Sequence, residues 1–282
     1  MRDLEALHKS LNAMNDLEAL TDMLEQTAAR TISIMQQDIL SSRPYFQQIW
    51  HIYSILKQLA PPPPEITHKH LIVMIGVDWG MTGSLMNRVI DEAKLLQSKH
   101  DADILIAGKM AKVRFSNIDG HTMHYFSCPK NVSLELIQPI YKVVSGYSRV
   151  TMVYPSFDSL SKQSVSTASF SVKDSIKIDN QDINPNDVIS EEEAKTYIVD
   201  PDAQSLVNYI NEAVVGLTIH HYFAESSLAY SAAQMIAMRN GHDNAENEAK
   251  KIKLLYNKAR RDVIDTKLRE LFGSRVAIKE KD

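Results

Sequence analysis

Cysteine is nearly absent: Cys128 stands alone in 282 residues. One thiol closes no internal disulfide, so a disulfide scaffold is excluded and a reducing compartment is expected. A lone cysteine reads as a small buried apolar residue rather than a catalytic thiol. Long hydrophobic runs are missing too, and none nears the roughly 18 residues of a membrane span. The first residues, Met1-Arg2-Asp3-Leu4-Glu5, lack the apolar core of a signal peptide and are too acidic for a transit peptide. Positive charge is not in excess: 31 Lys and Arg face 35 Asp and Glu, a net charge of −4. Such a surface does not attract phosphate backbones, so no nucleic-acid partner is expected. The expectation is a soluble, intracellular chain that meets a membrane only through partners, without inserting directly.

Glycine is also scarce, nine against twelve methionines, and there is none from Met1 to Ile75. That stretch reads as helix to residue 59. Leu4, Leu7, Leu11 and Met14 step by three and four, the seam of a two-helix coil. The stripe is expected to continue, less regularly, through Leu17, Leu20, Leu24, Ala28 and Ile32. Pro44 removes one helix hydrogen bond and is a place to bend. Pro61-Pro62-Pro63-Pro64 is a stop, expected as stiff polyproline.

Beyond it the pattern changes. Leu71 to Val77, Ile104 to Ala107 and Val150 to Tyr154 are short apolar runs of buried-strand type. Leu85–Leu96 and Ser133–Val144 have helical spacing, with Pro139 a kink in the second. Alternation of strand and helix predicts a partly parallel sheet with helices on its faces. Residues 155–189 are rich in Ser, Thr, Asp and Asn, with Phe170, Val172 and Ile176 alternating weakly, and suit a hairpin or edge strands. Thr196–Val199 reads as a final short strand.

From Pro201 the chain turns helical again, with Asp200 as N-cap and Pro201 as first helical residue. Continuous to Phe272, this helix would be about 100 Å long, more than a globular core requires. Ala245, Ala249, Ile252, Tyr256, Ala259 and Val263 form a heptad seam of small residues. Residues 1–30 carry six acids and three bases, and residues 246–282 carry eleven bases and seven acids. Opposite net charges favour pairing the two helices. The expected fold is of α/β class: an antiparallel coiled coil of long N- and C-terminal helices flanks a central Rossmann-like α/β domain. The expected division is 1–59, 60–200 with the Pro61–Pro64 linker at its start, and 201–282. The longer C-terminal arm should project past its partner.

Motifs for chemistry are few. Asp78-Trp79-Gly80-Met81-Thr82-Gly83-Ser84 lies between a strand and a helix, where a nucleotide loop would sit. It has neither dinucleotide glycine spacing nor a P-loop lysine, so a tight turn with an N-cap is expected. His68, His70, His220 and His221 have no metal-ligand spacing, since adjacent helical histidines point about 100° apart. The serines from 156 to 169 lack a nucleophile elbow. No catalytic, cofactor or metal constellation emerges, which points to a binding or mechanical component.

The final helix carries a specific resemblance. Glu225-Ser226, Ala232-Ala233, Met235-Ile236-Ala237-Met238-Arg239-Asn240, Asp243-Asn244-Ala245 and Tyr256-Asn257-Lys258-Ala259-Arg260 are similar, in order and spacing, to the C-terminal helix of γ subunits of rotary F-type ATP synthases. Asp78, Gly80, Gly83, Leu85 and Asn87 resemble that family's Asp-Arg-Gly-Leu-Cys-Gly-Gly-Leu-Asn turn. Arg43-Pro44-Tyr45 and Gly108-Lys109 match two further family motifs. The matches are collinear over nearly the whole chain.

The resemblance implies a non-catalytic central rotor shaft that couples ion flow through a membrane ring to ATP synthesis or hydrolysis. Implied partners are the α and β subunits of the hexameric ring, the ε subunit and the c ring. The implied location is the cytoplasmic face of a bacterial cell membrane, as a peripheral subunit. Candidate ring contacts are Arg239, Asn240, Asp243, Asn244, Lys258, Arg260, Arg261 and Asp265; Asp78, Gly80 and Gly83 form the implied structural turn. Departures are visible. Asp22 and Glu25 replace family lysines, and Tyr230, Ser231 and Gln234 stand where the family has Glu, His and Arg. Asp22, Glu25 and Tyr230 raise one alternative, a γ-derived paralogue in another rotary or structural ATPase assembly. A small α/β enzyme with helical arms is the other.

Overall fold

A computed structural model describes residues 2–59, 70–115, 121–171 and 203–279. Within the two terminal helices, side chains are described from 4 to 37 and from 213 to 273. The elements in order are α1 (Arg2–Leu59), β1 (His70–Ile75), α2 (Leu85–Lys99), β2 (Ala102–Ala107), α3 (Lys109–Arg114), β3 (Met123–Phe126), α4 (Leu134–Val144), β4 (Arg149–Phe157), β5 (Gln163–Ser171) and α5 (Ala203–Lys279). Two compact units divide the chain: residues 1–27 together with 235–282, and residues 28–234.

In the unit 28–234, five strands form one sheet in the order β3-β2-β1-β4-β5. The first four are parallel and β5 is antiparallel to β4. β1 is central because both neighbours pair with it in register, Ile72 opposite Ile104 on one side and Thr151 on the other. A strand covered on both faces needs apolar residues at every position. Leu71, Ile72, Val73, Met74 and Ile75 are accordingly fully buried.

Alternation of side chains then sorts the core into two layers. Leu71, Val73, Ile75, Leu105, Val150 and Met152 face α4 through Ile137, Ile140 and Val144, and α5 through Val215, Ile219 and Phe223. Ile72, Met74, Ile104, Ile106 and Val153 face α2 through Leu85, Met86, Val89 and Ile90. Tyr230 and Ala233 of α5 join this second layer. Each fully buried large apolar side chain stabilises by about 1.5–3 kcal/mol.

Sequence and structure differ at named places. β3 and α3 were not expected, because β3 alternates between exposed and half-buried residues and carries no apolar run. The polar stretch after residue 155 resolves into the end of β4 and the hairpin partner β5, joined by mutual Ser159 and Lys162 backbone hydrogen bonds of 3.0 and 3.2 Å. α1 continues as helix through Pro44, and Pro139 lies inside α4. The Pro61–Pro64 stop, Val172, Ile176, the strand at Thr196–Val199 and the Asp200-Pro201 cap lie outside the described residues.

Candidate functional site

In the unit of residues 1–27 with 235–282, the helices carry matching seams. On α1, Leu4, Leu7, Leu11 and Met14 are half-buried. The expected continuation holds at Leu24, which is half-buried, and at Ala28 and Ile32, which are buried, but is corrected at Leu17 and Leu20, which are 42% and 47% exposed. A helix cannot shift its phase to follow two leucines, so the alternation of three and four runs on through Glu18, Thr21 and Glu25. Thr21 is buried, and Glu18 and Glu25 are half-buried. Thr21 satisfies its hydroxyl within the helix, donating to the carbonyls of Leu17 at 2.8 Å and Glu18 at 2.9 Å. On α5, Met238, Ala245 and Ala249 are buried, and Ile252, Tyr256, Ala259 and Val263 are half-buried between exposed neighbours.

Side chains from the two helices meet along these seams. The rings of His8 and Tyr256 lie 5.7 Å apart. His242 Nδ1 lies 3.4 Å from the Glu18 carbonyl oxygen. Arg239 Nε stands 3.5 Å from Glu25 Oε1. Rising numbers on α1 meet falling numbers on α5. A groove of about 800 Å³ opens beside the seam, lined by Met14, Leu17, Gly241, Asn244, Ala245 and Lys251, among others.

Of the eight residues singled out from the sequence, only Arg239 is brought to α1, through Glu25. Its side chain is 68% exposed, so the pair contributes little to stability. Asn240, Asp243, Asn244, Lys258, Arg260, Arg261 and Asp265 all stand on exposed faces of α5, and Asn244 also lines the groove. From Ile264 to Gly273 every residue is exposed, including Ile264, Leu268, Leu271 and Phe272.

The turn after β1 is in the unit 28–234. Asp78 accepts the Lys109 backbone N–H at 2.6 Å, the Cys128 backbone N–H at 3.0 Å and the Ser127 hydroxyl. Its own N–H donates to the Cys128 carbonyl at 3.1 Å. One carboxylate thus ties together the segments that follow β1, β2 and β3. Partial burial pushes its pKa up. The hydrogen bonds from Ser127, Lys109 and Cys128, with the Lys109 charge, outweigh that and hold it below the usual carboxylate range. The expected side-chain cap is absent, since Ser84 occupies the N-cap of α2 without a side-chain hydrogen bond.

Glycine is required at two positions here. Gly83 has φ of +59°, the left-handed region. At Gly76 a Cβ would stand 2.6 Å from that of Ala111, so glycine lets α3 approach the sheet. Gly80 meets nothing within 4 Å. Met81 has φ of +64°, uncommon for a residue with a side chain.

The histidines and serines singled out from the sequence make contacts within the fold, except His68, which lies outside the described residues. His70 Nε2 lies 2.9 Å from Thr151 Oγ1, and the rings of His70 and His100 are 5.3 Å apart. His220 meets the Val132 carbonyl at 3.2 Å, and His221 meets Glu225 at 3.9 Å. Ser156, Ser164 and Ser166 bond one another across the β4–β5 hairpin. Among the described residues no group of three His, Cys, Asp or Glu is placed to hold a metal ion. No helix among them is long and apolar enough to cross a membrane.

Sequence reading overlooked Lys130, which follows β3 and meets α5. Its Nζ donates to Gln234 Oε1 at 3.2 Å and lies 5.5 Å from the centre of the Trp79 ring. No local motif marks it, because its partners are 51 residues before it and 104 after it.

A sheet of four parallel strands and one antiparallel strand, with long helices before and after it, is a fold shared with solved chains of ATP synthases. A chain of a Euglena gracilis mitochondrial ATP synthase, solved as OSCP/F1/c-ring, superposes with TM-score 0.66 at 14% identity, covering 97% of this chain and 95% of that one. A chain of the Tetrahymena thermophila mitochondrial ATP synthase central stalk/c-ring superposes at 0.58 with 19% identity, covering 78% and 98%. In sequence, the ATP synthase gamma chain of Legionella pneumophila (strain Corby) is 24% identical over 99% of this chain and 100% of its own. That of Xylella fastidiosa (strain M12) is 25% identical over 96% and 98%. The family model described as ATP synthase matches residues 3–278. The chain belongs to the ATP synthase γ-chain family, whose members are non-catalytic subunits of that complex. The paralogue alternative is not favoured.

Proposed function

We propose that the chain is the central rotor shaft of a proton-translocating F-type ATP synthase. Its N-terminal arm (1–59) and C-terminal arm (201–282) wind as an antiparallel coiled coil, and residues 60–200 form the α/β domain. The observation that carries this reading is the set of contacts from His8 to Tyr256, Glu18 to His242 and Glu25 to Arg239. These run in opposite directions along two seams of one heptad phase. A paired rod resists torque better than a single helix, which is what a shaft must do.

The shaft turns inside a hexameric ring of α and β subunits, with ε and the membrane c ring at its foot. Its site is the cytoplasmic face of a bacterial membrane, held there through partners. Arg239, Asn240, Asp243, Asn244, Lys258, Arg260, Arg261 and Asp265 face the ring. Exposed guanidinium groups suit acidic ring loops because their forked donors fit carboxylates. Asp78, Gly80 and Gly83 shape the turn at the strand ends.

Co-expression with the cognate α and β subunits tests the reading. One co-purifying complex is expected, and failure to co-purify overturns it. In that complex Arg260→Ala with Arg261→Ala should lower ATP-driven proton pumping and leave the melting temperature of the chain unaltered. Undiminished pumping removes both arginines from the contact surface.

A further inference from the structure

The segment between β3 and α4, residues 127–133, is strapped down at both ends. At one end the Cys128 N–H donates to the Asp78 carboxylate and the Cys128 carbonyl accepts the Asp78 N–H. At the other, α5 holds the segment twice: Ser227 donates to the Lys130 carbonyl at 2.8 Å, and His220 meets the Val132 carbonyl. Between these anchors the Lys130 side chain turns inward. It is half-buried, and no carboxylate of the described residues lies within ion-pair distance. Burial pushes the ammonium pKa down. Its compensation comes from two neutral groups, the amide oxygen of Gln234, itself only 7% exposed, and the face of Trp79. The indole face attracts the ammonium through its ring quadrupole, the more so as water is excluded from it.

Those two groups lie on different elements. Trp79 belongs to the turn after β1, where it packs against the layer containing Tyr230 and Ala233. Gln234 belongs to α5.

We propose that Lys130 is a positioning residue whose ammonium, held between the Trp79 ring and the Gln234 amide, locks the β1–α2 turn to α5. The lock itself does not depend on the rotor reading. That reading supplies only its use, which is to make turn and helix move as one body.

The test is a charge relocation in the full-length chain, read as melting temperature. Gln234→Arg sets a second cation against Lys130 and should lower the melting temperature by about 4 °C or more. Adding Lys130→Met to Gln234→Arg should recover most of that loss, because the chain then holds one cation at the same place. Lys130→Arg should remain near the parent value. The proposal is overturned if Gln234→Arg is tolerated equally with and without Lys130, or if the two substitutions merely add. Should Gln234→Arg prevent folding, restored folding of the double variant supports the proposal, and continued failure overturns it. The use is read separately, in the assembled complex: Lys130→Met should reduce protons pumped per ATP hydrolysed, and Lys130→Arg should not. Coupling in the melting cycle with unchanged pumping keeps the lock and rejects its use in rotation.

Discussion

Gly241 of α5 faces Thr21 of α1 so closely that a Cβ on the glycine would stand 3.3 Å from Thr21 Cγ2. Glycine inside a helix costs about 1 kcal/mol relative to alanine. Here its small size lets two helices approach, and Thr21 folds its hydroxyl back onto the carbonyls of Leu17 and Glu18 in its own helix.

Gly241→Ala should therefore be nearly neutral, since the helix-propensity gain opposes a shift of a few tenths of an ångström at Thr21. Gly241→Leu should lower stability by about 1–3 kcal/mol through overpacking. Chemical denaturation of both variants checks the contrast. Equal stability of the two would mean that the helices are not in contact at this point.

Asp78 should be required for the sheet's strand ends. Asp78→Asn keeps one acceptor but turns an amide NH2 toward donors, and should cost about 2–3 kcal/mol. Because the folded carboxyl lies below its ordinary value, its contribution is present above about pH 3.9 and is lost as pH falls through the folded value. Acid unfolding of the variant should accordingly be flatter below pH 4 than that of the parent.

His70 should give the fold a mild acid sensitivity of a different kind. Burial lowers its pKa, and the nearby His100 and Arg149 lower it further. Its contribution is full above about pH 6.5, the ordinary value, and is lost as pH drops toward the lower folded value. His70→Gln removes the titrating group and can still bond Thr151. Melting temperatures from pH 7 to pH 5 should fall less steeply in that variant. An identical slope would show that the interaction of His70 with its neighbours is not what titrates.

Cys128 should be inert while the chain is folded. It is buried, and burial together with the Asp78 charge pushes its thiol up to about 12. At pH 8 its thiolate is on the order of a thousandfold scarcer than that of an exposed cysteine. A thiol reagent should modify it only after denaturant is added. Rapid reaction in buffer would place the thiol at the surface.

The heptad steps of the two terminal helices, the apolar strands at 71–75, 104–107 and 150–154, and the glycines of the turn were all legible in the chain, because each is a local periodicity or a local steric demand. The short edge strand Met123–Phe126 was not, since its alternation lacks an apolar run. Nor was the seam at Glu18, Thr21 and Glu25. Counting leucines favoured Leu17 and Leu20, while the phase already set by Leu4 to Met14 pointed at the polar residues. A carboxylate at a seam position gains meaning only when Arg239, 214 residues away, is brought to it.

The sequence by itself determined that two long helices flank an alternating strand-and-helix segment, because residue spacing alone dictates which face of a helix or strand is apolar. It also carried the family, through motifs collinear along the chain. Tertiary structure alone decided which polar groups meet. Asp78 joins three strand ends, and Lys130 lies between Trp79 and Gln234, through contacts spanning 31 to 104 residues. No local rule encodes such distances: hydrogen bonds and desolvation act between neighbours in space, and only the folded sheet makes these residues neighbours.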